Sequence, residues 1–290
     1  MEIDELPHVQ GVSHRFVDVG GVSLHVAEAG AGEPLVLLHG WPQHWWCWRL
    51  LIPPLARSYR VIAPDLRGFG WSDAPAGDYA KATFAADVRA LLDVEGLDRV
   101  RVIGHDWGGW AAMLLALESP ERISRLLALD ISPPWPQRPR PRQLALPLLA
   151  SYQALLASPL GPPLLMRSPS VVQMLIRGAS AHPRAWSVRE LAIYSDVLRE
   201  PARASASSAC YRTFLTRELP AMLRGGDRSG ELTVPTLVAM GERSAIRRVL
   251  DPRPSGQLRV ETVVDAGHFL PEEAPTAVLR LAERWFDRAT

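Results

Sequence analysis

Along the first third of the chain, short runs of alternating or wholly apolar residues are separated by glycine-rich breaks. His14 to Val19 and Val22 to Ala29 alternate apolar and polar side chains around Gly20-Gly21, which predicts a β-hairpin with a primed turn. Pro34-Leu35-Val36-Leu37-Leu38 is apolar throughout, the pattern of a strand buried on both faces. A helix from Trp45 to Ala56 and a strand from Tyr59 to Ala63 are expected next. Then come an amphipathic helix from Ala80 to Glu95, opening near Thr83, and a β-branched strand from Val100 to Gly104. A long apolar helical pattern runs on to about Ser119, and Ser124 to Leu129 is another strand, ending at Asp130. Strands alternating with helices in this way predict a mostly parallel sheet flanked by helices.

The alternation then stops. Pro133 to Arg142 is a proline-dense connector, and Gln143 to about Leu223 carries helical patterns without a convincing strand. Strands resume at Pro235 to Met240 and Leu258 to Val264, and Pro271 to Asp287 reads as a closing helix. The expected organisation is therefore an α/β core over 1–130 and 231–290, with a helical lid inserted over 131–230.

Composition changes little in this picture. At 290 residues, 47% hydrophobic and 22% charged, the chain is an ordinary globular protein, and a net charge of +1 offers nothing to a nucleic acid or an anionic membrane. No apolar run is long enough to span a bilayer, and the acidic Met1-Glu2-Ile3-Asp4-Glu5 start lacks the apolar core of a signal peptide. A cytoplasmic monomer or homodimer with free thiols at Cys47 and Cys210 is expected, without metal or cofactor. The tryptophans at 41, 45, 46 and 48 predict a broad aromatic wall.

Candidate chemistry sits at the carboxyl ends of the predicted strands, where open parallel sheets bind ligands. His39-Gly40-Trp41-Pro42, Asp65, Asp106, Asp130, Glu242 and His268 all fall there, which predicts one shared site. The centre of it is Gly104-His105-Asp106-Trp107-Gly108-Gly109, a strand, a glycine-flanked turn and a helix. Asp106 stands where many hydrolases place serine. A carboxylate is already ionised at neutral pH, so it attacks carbon without a general base. His268, in a loop after the last strand, is placed to activate the water that would cleave the resulting ester. The N–H of Trp107 and that of Trp41 are the expected oxyanion donors; Pro42 has no N–H to offer. His39, at a strand end, more readily orders its loop than takes part in chemistry.

Together these motifs resemble the α/β-hydrolase superfamily, over about two thirds of the chain. Asp106 at the elbow is similar to the nucleophile of the epoxide hydrolases and of their relatives, the haloalkane and haloacetate dehalogenases. In epoxide hydrolases two lid tyrosines bind and protonate the epoxide oxygen, and Tyr152 and Tyr211 resemble them. The resemblance thus implies hydrolysis of a small apolar epoxide by water to a vicinal diol. Haloalkane dehalogenases often carry an asparagine where Trp41 stands. Haloacetate dehalogenases carry arginines where Trp107 and Trp110 stand, so a charged haloacid is not expected.

One departure bears on mechanism. The family's usual acid lies in a G-x-x-D turn, and here that turn reads Gly241-Glu242-Arg243-Ser244. Serine cannot carry the charge that supports an imidazolium. Asp130 is the favoured replacement, with Glu242 and Asp251 as alternatives. A haloalkane dehalogenase and a non-catalytic ligand-binding relative remain as rival readings.

Overall fold

A computed structural model of the chain describes residues 6–136, 146–225, 228, 230–249 and 252–287. Its frame is one eight-stranded sheet in the order β1-β2-β4-β3-β5-β6-β7-β8. β1 (Ser13–Asp18) and β2 (Ser23–Ala29) form an antiparallel hairpin. Its turn puts Gly20 and Gly21 at φ 97° and 89°, values that L side chains rarely adopt. β2 also runs antiparallel to β4 (Tyr59–Pro64). The remaining neighbours are parallel: β3 (Glu33–Leu38), β5 (Val100–His105), β6 (Ile123–Leu129), β7 (Thr236–Gly241) and β8 (Leu258–Val263). Leu35 to Leu38, Val102, Ile103 and Leu126 to Leu129 are fully buried, as strands covered on both faces must be.

Helices on the two faces begin with α1 (Ile52–Leu55), α2 (Lys81–Val94) and α3 (Trp107–Glu118). Between β6 and β7 the described residues form α4 (Leu146–Ala157), α5 (Gly161–Arg167), α6 (Pro169–Ala179), α7 (Val188–Asp196), α8 (Pro201–Thr213) and α9 (Leu219–Arg224), with no strand among them. A π-helical turn, Phe214–Glu218, joins α8 to α9. α10 (Ala245–Val249), α11 (Leu270–Glu273) and α12 (Pro275–Phe286) complete the chain. Among the described residues no helix is long and apolar enough to cross a membrane.

Two expected helices are corrected. Trp45 to Ala56 is a 3₁₀ turn over Trp45–Trp48, followed by the single turn of α1. Pro53 and Pro54 fit only a first helical turn, so the helix cannot extend back through Leu51. The closing helix divides at Pro275 into α11 and α12 for the same reason. The expected wall of tryptophans also divides. Trp45 and Trp48 are fully buried in the core, and Trp45 packs on His14. Of that cluster, Trp41 packs on Tyr211. Most of the proline-dense connector, from 137 onward, and Asp251 lie outside the described residues.

Candidate active site

The turn between β5 and α3 holds Asp106 at φ 50°, ψ −124°, a conformation costly for a non-glycine residue. Its surroundings hold it there. The Asp106 N–H donates to the Leu129 carbonyl at 3.1 Å, and the Trp110 N–H donates to the Asp106 carbonyl at 3.0 Å. A Cβ on Gly104 would lie 2.6 Å from Gly109 Cα, and one on Gly108 would run into the Leu38 and His39 carbonyl oxygens. Glycine is needed at these two positions for helix and strands to meet so closely.

The Asp106 carboxylate is buried and meets the loop after β3. The Trp41 N–H donates to its Oδ2 at 3.0 Å, and the N–H of Trp107, the next residue, also acts to stabilise its charge. Gly40 leaves room for this, because a Cβ there would collide with the Asp106 carboxyl group. Burial raises the Asp106 carboxyl above its ordinary range; His268, the two N–H donors and Lys81 oppose that rise without cancelling it.

His268 follows β8, and its Nδ1–H donates to Asp130 Oδ2 at 2.7 Å. Asp130 is fully buried at the end of β6. Its Oδ1 accepts the Gly241 N–H at 2.9 Å, and its Oδ2 also accepts the Ser244 hydroxyl at 2.6 Å. Burial pulls His268 down, but the Asp130 hydrogen bond and charge, with Asp106 and Glu273, push it above its ordinary value. The His268 backbone is gripped from both sides. Its N–H donates to the Ala179 carbonyl of α6 at 3.0 Å, and its carbonyl accepts His105 Nε2–H at 2.9 Å.

Two tyrosines from the inserted helices stand beside the carboxylate. Tyr152 on α4 and Tyr211 on α8 have ring centroids 5.9 Å apart, edge to face, and each phenol acts on the other electrostatically. Tyr211 packs edge-on against Trp41 at 5.2 Å and Trp107 at 6.1 Å. Burial raises both phenols, Tyr211 well above the ordinary value, and the charge of Asp106 adds to it. Both are therefore protonated donors.

Other expected members lie elsewhere. Glu242 is exposed and its carboxylate accepts the Asp265 N–H at 3.0 Å, so it does not reach His268. Asp65 is a buried hub that accepts from His25 Nδ1–H and from the Trp45 and Trp71 N–H groups. The expectation that every strand-end polar group shares one site is corrected for these two. His39 Nε2 accepts the Leu66 N–H at 3.0 Å, ordering the loop behind the site. Sequence reading passed over His105, Lys81 and Glu273. His105 lay within the elbow motif, but its contact is with a carbonyl 163 positions away. Glu273 accepts the Gly267, Phe269 and Ala181 N–H groups and so shapes the His268 loop.

Cys47 and Cys210 are free and buried, and burial pushes both thiols up, Cys210 to about 11, which leaves neither as a nucleophile. Among the described residues no group of three or more His, Cys, Asp or Glu side chains is arranged to hold a metal ion.

Comparison with known proteins bears on the fold and the family. A family model described as the alpha/beta hydrolase fold matches residues 33–275. The soluble epoxide hydrolase of Corynebacterium sp. (strain C12) is 33% identical, covering 95% of this chain and 97% of that one. The fluoroacetate dehalogenase of Burkholderia sp. is 28% identical, covering 97% and 95%. The solved structure of the epoxide hydrolase CorEH without ligand superposes with a TM-score of 0.80 at 31% identity, covering 95% of this chain and 98% of that one. An eight-stranded sheet, an Asp-bearing elbow and a family match spanning most of the chain place this protein in the α/β-hydrolase fold family.

Proposed function

We propose that the protein is an epoxide hydrolase that converts an apolar epoxide to a vicinal diol through an ester on Asp106. Asp106 attacks the less hindered ring carbon, and Tyr152 and Tyr211 donate to the departing oxygen. Helices α4 to α9 act as the lid that carries both phenols. His268, oriented by Asp130, then takes a proton from water as it adds to the ester carbonyl. The oxyanion formed is met by the Trp41 N–H, which already bonds the carboxylate, and by the Trp107 N–H beside it. Trp107, Trp110 and Phe214 pack together beside the nucleophile, which suits an uncharged substrate.

The observation that carries this reading is the Tyr152–Tyr211 pair beside Asp106. An alkoxide is a very basic leaving group and needs an acid; a halide needs none. One observation favours a second reading, hydrolysis of a carbon–halogen bond. Among the described residues the Trp107 and Trp110 indole N–H groups are buried without an acceptor, and such donors suit a departing halide.

The test is one turnover of styrene oxide in heavy-oxygen water, with enzyme in excess. The expected result is label in Asp106 and unlabelled first diol. A labelled diol with unlabelled enzyme would remove the ester. No diol, with bromide released from bromoalkanes, would decide for the second reading.

A further inference from the structure

Lys81 begins α2 and is fully buried. A lysine so placed must be paired, because desolvating its charge is costly. Its Nζ donates to Glu218 Oε2 at 2.6 Å and to the Cys210 carbonyl at 3.3 Å. It also lies 4.3 Å from the centroid of the Trp107 ring and 5.3 Å from that of Phe214. The second oxygen of Glu218 accepts the Lys81 backbone N–H at 2.7 Å. One carboxylate therefore caps a helix whose own N-cap, Ala80, has no side-chain oxygen, and neutralises the ammonium as well.

These partners are the neighbours of the reacting groups. Trp107 follows Asp106, Cys210 precedes Tyr211, and Glu218 ends the π-helical turn whose Phe214 packs on Trp107 at 4.8 Å. Turns of this kind are rare and gather at functional sites. Stability is a weak reason for the charge on Lys81, since an apolar pair of similar volume often serves as well as a buried ion pair.

We propose that Lys81 is a positioning residue for the attack by Asp106: paired with Glu218 and seated on the Trp107 ring, it fixes the Trp107 indole and the Tyr211-bearing helix against the nucleophile and acts on the carboxylate through its charge. This rests on the reading of Asp106 as the nucleophile. The groups acting on Asp106 include His268 after β8, Tyr152 on α4, Cys210 and Tyr211 on α8, Lys81 on α2, and the Trp41 and Trp107 N–H groups. Lys81 opposes the effect of burial on the carboxyl group.

Three variants test this. Lys81→Met keeps the length and removes the charge, Glu218→Gln removes the counter-charge, and Lys81→Arg is the conservative control. Asp106 is titrated in each by carboxyl-carbon NMR, assigned through Asp106→Asn, and its alkylation by styrene oxide is followed by mass spectrometry in single turnover. In Lys81→Met the Asp106 midpoint should rise by about half a pH unit. Alkylation should slow about tenfold, while hydrolysis of the ester keeps its rate. In Glu218→Gln the midpoint should fall, and Lys81→Arg should stay near the wild type. A purely structural role would lower the thermal midpoint of Lys81→Met but leave titration and alkylation unchanged, and that result overturns the proposal. If Lys81→Met does not fold, an unshifted midpoint in Glu218→Gln overturns it instead. Should the wild type fail to react with any epoxide, the epoxide reading falls, while the titrations still judge Lys81.

Discussion

Asp130 Oδ2 takes two donors at once, His268 Nδ1–H and the Ser244 hydroxyl. The serine in the G-x-x-D turn thus meets the carboxylate supplied from β6, and it holds that carboxylate rather than replacing it. Burial alone would lower His268, but the Asp130 hydrogen bond and charge, with Asp106 and Glu273, raise it above its ordinary value. A base must be neutral to activate water, so ester hydrolysis should fade as pH drops through a midpoint above 6.5, the ordinary histidine value. In Asp130→Asn that midpoint should move down and ester hydrolysis should slow by about 100-fold or more. Alkylated Asp106 then accumulates and is read by mass spectrometry of its peptide; wild-type turnover in this variant would refute the part given to Asp130. At this scale legibility depends on distance along the chain. Asp106 and His268 carry local signatures. Choosing between Asp130 and Glu242 required knowing that the Glu242 side chain turns to solvent, which no spacing encodes.

Between elements, glycine acts by what it leaves empty. Gly108 lies in α3, where a methyl group would strike two carbonyl oxygens of the chain leaving β3. Gly178 lies in α6 and a methyl group there meets nothing within 4 Å. Gly108→Ala should therefore cost about 1–3 kcal/mol or more, through overpacking. Gly178→Ala should gain about 0.5–1 kcal/mol, the ordinary helix preference for alanine. Urea midpoints with unchanged slopes measure both, and equal effects would refute the close-approach argument. Composition counts both as helical glycines and cannot separate them. The strands were legible to within a residue or two: β3, β6 and β7 because burial on both faces leaves apolar runs, and the β1–β2 hairpin because its side chains alternate around two glycines. The stretch after Trp41 was not, because its apolar periodicity outweighed Pro53-Pro54, whose missing donors decide the local geometry.

Across the whole molecule, acid sensitivity follows from histidines buried without charge. Burial holds His39 below its ordinary value and His105 well below it. His44, fully buried, is held down to about 4 by burial, with Asp65 opposing. A histidine lowered in the folded state contributes stability that is present above its unfolded value of 6.5 and lost as pH falls through 4. For His44 alone this amounts to about 3 kcal/mol. Thermal melts between pH 7 and 4 should show a falling midpoint, and His44→Gln should flatten that fall; an unchanged slope would refute the assignment. The parallel sheet and the helical stretch between β6 and β7 were visible in the order of patterns along the chain. The docking of those helices on the core was not, because it rests on partners far apart along the chain, such as Lys81 with Glu218, Arg49 with Glu190 and Glu273 with the Ala181 N–H.

One such docking contact limits how these proteins can be re-engineered. The Ala179 carbonyl of α6 accepts the His268 N–H, Glu273 accepts the Ala181 N–H, and a side chain on Gly267 would strike this same stretch. The histidine loop is thus half built by the inserted helices. A graft that exchanges those helices with a relative's to change substrate range must bring residues 179–181, 267 and 273 as one unit, or the new insert will arrive without a seat for the base.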